Sequence, residues 1–264
     1  MKEFIAFGDS FINMFSTFLS FKTHIFKINK YKGATMKGII NKNENYEDII
    51  KKLNNDEYDY AFFGFGQVDF FFYYYYKKYV KNDENVLEKM YENAEIYVKN
   101  ISELHNVKQK IIFGVLPSHI KNEKYKQFLV GYGIVPIELI DSIPIKEMDY
   151  YERNKRIIHY NSLLAKHCKK YNIIFCNVYD SLMNNYKVVD IVLLKHNELN
   201  IHINYEILLL VYLKKCLGFL LQYYNINEIY YIMEYNYNKY MAPKNLGPSF
   251  NFQRTEITAF IDTL

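Results

Sequence analysis

Five short apolar runs, each followed by a longer segment with helical spacing, constrain this chain's fold more than any other feature. They are "EFIAF" (3–7), "THIFKI" (23–28), "DYAFFGF" (59–65), "KIIFGVLP" (110–117) and "NIIFCNV" (172–178). All are rich in β-branched and aromatic residues, and the third and fourth are apolar at almost every position, as strands buried on both faces are. Pro117 stops the fourth. Between them stand "FINMFSTFLSF", "NYEDIIKKLNN" (45–55) and a segment over 84–105 with Val86, Leu87, Met90, Tyr91, Ala94 and Val98 at helical spacing. "YERNKRIIHYNSLLAKHCKKY" (151–171) precedes the fifth strand, and an apolar helix over 205–224 follows it. Such alternation implies parallel strands joined by right-handed crossovers. The expected fold is a three-layer α/β/α sandwich with a mostly parallel, about five-stranded sheet, flavodoxin-like in kind. Ligands of such sheets bind beyond the carboxyl ends of the strands, so Ser10, Gly66 and the residues after Val178 are expected on one rim.

The chain has 264 residues and half are hydrophobic, enough for a full core in one domain over 1–224. Residues 225–264 are tyrosine-rich and then run "MAPKNLGPSF", which reads as an arm packing on that domain. The net charge is only +4 and the lysines lie scattered among acids. No basic face suited to nucleic acid follows. In "YEILLLVYLKKCLGFLLQYY" (205–224), Lys214 and Lys215 fall mid-segment. Each would cost roughly 3 kcal/mol in a bilayer, so a buried helix is expected and no membrane span. The N-terminus lacks an uninterrupted apolar signal region, and Cys168, Cys176 and Cys216 lack pairing or metal spacing. Both features point to a cytoplasmic protein with reduced thiols and no bound metal. There is no phosphate loop and no dinucleotide fingerprint, so no cofactor is expected.

Chemistry concentrates in four stretches. Gly8-Asp9-Ser10 sits at the junction of the first strand and the next helix, where a serine offers a hydroxyl and an amide to one space. Asp and Ser are equally ordinary helix caps. "YKGATMKGI" (31–39) has two glycines that let backbone amides approach a ligand. "FFGFGQVDF" (62–70) ends the third strand in a glycine-rich turn presenting Gln67 and Asp69. "NELNIHINYE" (197–206) places His202 just before the last long helix, where a base for Ser10 belongs.

Together these blocks resemble the SGNH (GDSL-type) hydrolase superfamily, and more closely a divergent, little-characterised subgroup carrying "FG-[EQ]-x-D" and "NIHLNWE" in the corresponding places. The resemblance spans residues 4 to 210. It implies that Ser10 is the nucleophile, His202 the base, and Gly33 an oxyanion donor beside the Ser10 amide. Two positions depart from the pattern. The oxyanion asparagine is replaced by Val68, with Gln67 one residue earlier as a displaced donor beside Asp69 and Asp9. The acid three residues before the histidine is replaced by Leu199, leaving Glu198, Asn200 or Asp190 to orient the imidazole.

The resemblance thus implies an ester hydrolase acting on a small-molecule or glycan ester, such as an O-acetyl group on a carbohydrate. An O-acyltransferase using the same serine is the near variant, and a catalytically silent fold binding glycan or protein is the rival. "FFFYYYY" (70–76) reads as a helix start with some faces in the core, or as part of an acyl or sugar wall. His119 in "LPSHI" (116–120) lies at the same rim, whereas His159 and His167 read as surface or packing residues.

Overall fold

The computed structural model describes residues 3–20, 25–183, 205–223, 225–240, 258–259 and 261–262. Its sheet has five parallel strands: β1 (Glu3–Gly8), β2 (Ile25–Lys30), β3 (Tyr58–Gly64), β4 (Val107–Phe113) and β5 (Ile174–Cys176). Their order is β2-β1-β3-β4-β5. This is the doubly wound order expected, with the topological switch between β1 and β3. The helices are α1 (Met36–Ile40), α2 (Glu44–Asn55), α3 (Val86–Ser102), α4 (Asn122–Gly131), α5 (Ile145–Met148), α6 (Tyr150–Lys170), α7 (Tyr179–Met183), α8 (Tyr205–Lys215) and α9 (Ile226–Tyr240).

Right-handed crossovers decide which helix covers which face. The chain steps one way from β1 to β2 through a 3₁₀ helix (Ser10–Ser20), and the other way from β2 to β3, β4 and β5. Hence α1, α2, α3 and α6 share one layer, in which α3 packs on α6. The 3₁₀ helix forms the opposite layer with α8. Beneath that second layer an aromatic ladder crosses the sheet. Phe4 stacks on Phe26 and on Tyr60, and Phe62 lies between Phe26 and Phe113. Phe15 and Tyr212 close on it from above, with centroids 5.0 Å from Phe62 and 4.7 Å from Phe113. Phe4, Ile5, Ala6 and Phe7 are all buried, which explains why β1 reads as an unbroken apolar run.

Three elements differ from their sequence reading. The segment after β1 winds as a 3₁₀ helix, its first turn held by the Ile12 amide on the Asp9 carbonyl at 3.2 Å. The helix expected over 205–224 ends at Lys215, where the Cys216 and Leu217 amides both fall on the Tyr212 carbonyl at 2.8 Å. The chain then turns into a short 3₁₀ segment (Gly218–Gln222). Strand four ends at Phe113 rather than running to Pro117, for a reason that the site makes plain. Of the C-terminal segment, α9 buries Ile229 and Tyr230 and touches α8, while "MAPKNLGPSF" lies outside the described residues. Among the described residues no helix is long and apolar enough to cross a membrane.

The sheet is tightest where the site begins. Gly8 pairs with Gly64 across β1 and β3, and a Cβ built on Gly8 would stand 2.5 Å from the Gly64 carbonyl oxygen. That oxygen accepts the Asp9 amide at 3.0 Å, so it cannot withdraw without breaking the junction. Gly8→Ala is therefore expected to destabilise the protein by roughly 2 kcal/mol or more. Urea unfolding checks this, with Ala6→Gly on the same strand as a comparison for simple loss of packing.

Candidate active site

The rim beyond β1, β3 and β4 is built from three loops, each held by a buried polar side chain. At the end of β1 the turn is capped by Asp9. The Asp9 Oδ1 accepts the Phe11 amide at 3.0 Å, and Asp9 is wholly buried. Ser10 next to it is half-buried, and its carbonyl oxygen accepts the Tyr205 hydroxyl at 2.9 Å. Thus the first residue of α8 is bonded to the residue predicted as nucleophile. His202, Glu198, Asn200 and Asp190 lie outside the described residues.

The loop after β2 is anchored by the Tyr31 amide on the Gly8 carbonyl at 2.8 Å. It turns at Gly33, whose φ of +70° suits glycine and strains other residues. Gly33 is exposed, and nothing stands within 4 Å of where a Cβ would be. Its amide is thus carried on an open turn at this rim. Two residues on, Thr35 caps α1 through Gly38.

Asp69 ties this loop to the end of β3. Its Oδ2 accepts the amide of Met36, the first residue of α1, at 2.9 Å. Both Asp9 and Asp69 are enclosed, and burial raises each carboxyl from its ordinary range to about 7. The Phe11 amide opposes that rise at Asp9, the charge of Asp69 adds to it, and the Val68 and Gln67 amides oppose it again. At Asp69 the Met36 and Lys37 amides oppose the burial. The sequence reading offers both acids as oxyanion or substrate contacts. In the structure they are internal braces that fasten the loops at 8–11, 33–37 and 66–69 to one another.

Gln67 is also spent internally. Its Oε1 accepts the Leu116 amide at 2.9 Å, and its Nε2 donates to the Leu116 carbonyl at 3.2 Å. The displaced carboxamide expected to face an oxyanion is paired at both ends with backbone. Two asparagines on one face of α6 make the same clasp. Asn161 binds the amide and carbonyl of Val115 at 2.8 and 2.9 Å. Asn154 binds those of Ser118, both at 2.9 Å. Here is why β4 stops at Phe113: beyond it the neighbouring strands have ended, and three side-chain amides satisfy the backbone groups that a sheet partner otherwise would. Arg153 completes the seam. Buried, with its guanidinium 3.8 Å from the Tyr125 ring, it donates to the Met148 and Ile120 carbonyls and to the Ser118 hydroxyl. Asn154 and Asn161 stand seven residues apart on a polar-looking helix, a spacing that marks one buried face. Sequence reading missed them because asparagine on a helix is most often solvated.

A small cavity of about 20 Å³ opens between these loops and α8, lined by Asp9, Gln67, Gly114, Leu116, Leu208 and Tyr212 among others. It has room for a single water, and among the described residues the buried Asp9 Oδ2 has no close hydrogen-bond partner. None of "FFFYYYY" lines it. Phe70 packs on Tyr160, Phe71 and Phe72 on Phe128, and Tyr74 donates to Glu147 beside Arg156. That run fastens α4, α5 and α6 to the sheet rather than walling a site. His119 is buried at the end of the clasped loop, His159 meets Tyr91 edge-on, and His167 is buried beside Glu95. Among the described residues no three His, Cys, Asp or Glu side chains are grouped to hold a metal ion.

The fold defines the class: a parallel, doubly wound α/β/α sandwich. No protein-family model and no curated protein matches the chain. A catalytic mutant of an acetylxylan esterase from Geobacillus stearothermophilus is similar at a TM-score of 0.51 and 12% identity, over 81% of this chain and 93% of that one. A second catalytic mutant of an acetylxylan esterase from that organism gives 0.50 and 11% over the same shares. A member of the lipolytic G-D-S-L family from Veillonella parvula gives 0.46 and 16%, over 80% and 92%. At these identities the likeness is one of fold.

The braces make two measurable demands. A carboxyl whose folded pKa is raised stabilises the fold below its unfolded pKa of about 4, and that contribution is lost as pH rises through about 7. Wild-type stability should therefore fall between about pH 4 and 7. Asp9→Asn, which keeps the acceptor for Phe11, should flatten that slope and be the more stable protein at the upper end. Urea unfolding across this range measures both. Asn161→Leu should cost about 2–4 kcal/mol, since it strands the buried Val115 amide and carbonyl. The same unfolding assay reads it.

Proposed function

We propose that this protein is a serine-dependent ester hydrolase with Ser10 as nucleophile and His202 as base. The observation that carries the reading is the contact between α8 and the nucleophile elbow. Ser10 stands at the carboxyl end of β1, at the switch point of the sheet, and Tyr205 is hydrogen-bonded to its carbonyl. In the sequence His202 stands three residues before Tyr205, the residue of α8 that meets Ser10. Asp9 caps the turn through the Phe11 amide, directly beside Ser10.

In the proposed reaction the Ser10 Oγ passes its proton to the His202 imidazole and attacks the ester carbonyl carbon. The carbonyl electron pair moves onto oxygen, where the Ser10 and Gly33 amides receive it. Collapse of this intermediate expels the alcohol, which takes the proton from the imidazolium, and leaves an acyl-serine. Water, deprotonated by the same imidazole, then releases the acid and restores Ser10. Glu198, Asn200 or Asp190 would orient the imidazole. The substrate we favour is a short acyl ester on a carbohydrate, in line with the acetylxylan esterase that shares this fold. An acceptor alcohol in place of water would make the same chemistry an acyl transfer.

One observation favours a second reading, a silent fold that binds glycan without turning it over. With Val68 in the asparagine position and Gln67 clasped to Leu116, the oxyanion has two donors rather than three. A fluorophosphonate probe and p-nitrophenyl acetate turnover decide between them. Wild type should label and turn over, and Ser10→Ala and His202→Ala should each lose labelling and at least about a thousandfold in kcat/KM. An unlabelled, inactive wild type across roughly pH 6 to 9 overturns the hydrolase reading.

A further inference from the structure

A second concavity lies on the same rim, on the far side of the clasped loop from Ser10. It is a groove of about 380 Å³ lined by Lys121, Asn122, Glu123, Tyr150, Tyr151 and Met183. That is within the range of small-molecule sites. These residues come from the start of α4, the start of α6 and the end of α7. Helices α4 and α7 follow β4 and β5, and α6 runs back toward the start of β5, so all three termini meet beyond the carboxyl ends of the strands. In the sheet β4 is two positions from β1 and β5 is three. The groove therefore belongs to the β4–β5 side of the rim and Ser10 to the end of β1.

The lining has the chemistry of a polyol site. Tyr151 is 79% exposed, a large ring left in water at the mouth of a groove. Tyr150 meets it edge-on at 5.6 Å and is itself fixed: its hydroxyl lies 3.1 Å from the Met183 sulfur, and its ring is beside the Arg153 guanidinium. The floor is therefore rigid while the Tyr151 ring presents a flat apolar surface and a hydroxyl. Asn122 is occupied, its amide nitrogen on Asp149 and its oxygen receiving Tyr150 and Arg153. Among the described residues the lining also offers Lys121 and Glu123, one cation and one anion, both exposed. Opposite charges side by side disfavour an anionic or a cationic ligand alike and suit neutral hydroxyls, which can accept from the ammonium and donate to the carboxylate.

We propose that this groove is a distal subsite for a neutral oligosaccharide, stacked on Tyr151 and hydrogen-bonded to Lys121 and Glu123, whose acylated unit reaches Ser10. The proposal rests on the hydrolase reading only in naming what the bound chain carries. Calorimetric titration with xylotetraose, cellotetraose and chitotetraose tests it without any turnover. At least one should bind wild type, Tyr151→Ala should weaken it at least about tenfold, and Tyr151→Phe should keep most of the affinity. p-Nitrophenyl acetate is too short to reach the groove, so its turnover should be unchanged in Tyr151→Ala. Absence of binding by all three sugars at 10 mM or so, or equal binding by Tyr151→Ala, overturns the subsite. Sugar binding by a wild type that neither labels nor turns over overturns the hydrolase and leaves the subsite standing.

Discussion

The site depends on how closely β1 and β3 approach at their carboxyl ends. Gly8 and Gly64 lie opposite each other with no room for a side chain, and the Gly64 carbonyl takes the Asp9 amide. This contact puts Asp9 and Ser10 directly over the switch point, where the chain leaves β1 toward one edge of the sheet and later returns to the other. Everything functional proposed for this protein is arranged around that approach.

Around it the protein uses buried polar side chains where a sheet has run out of strands. Asp9 and Asp69 gather amides from three loops, and Gln67, Asn154 and Asn161 take both backbone groups of successive residues beyond β4. A backbone group buried without a partner costs about as much as a lost hydrogen bond, so each clasp keeps the loop in one position. The acids carry a cost that the amides do not. Burial holds both nearer the neutral form, and at Asp9 the charge of Asp69 adds to it. A rim braced by neutral amides and reluctant acids is stiff, and a stiff rim is what a preorganised oxyanion site requires.

Much of the fold was legible because it depends on composition along short runs. "DYAFFGF" and "NYEDIIKKLNN" carry their burial patterns in their own residues, and Tyr58–Gly64 and Glu44–Asn55 form where those patterns say. The motif blocks were legible for the same reason: glycine, aspartate and serine at a strand end have few alternative uses. What misled the reading was partner choice. Gln67 has the donor an oxyanion needs, yet Leu116, 49 residues away, takes it. The apolar string "IIFGVLP" looked like strand to its proline, although Val115 pairs with Asn161 of α6 and Leu116 with Gln67. "FFFYYYY" offered seven aromatic rings, and only the arrival of α4, α5 and α6 determines that they pack there.

By itself, the sequence determined the sheet, the direction of its strands and the place of Ser10 at the end of the first, because hydrophobic period and turn chemistry act within a few residues. Tertiary structure alone decided that Asp69 and Gln67 brace loops and that Tyr205 closes on Ser10. It also decided that Lys121, Glu123 and Tyr151, separated in the chain, share one groove. Hydrogen bonds and charges are satisfied by whichever group the fold brings near, and no local pattern records which group that will be.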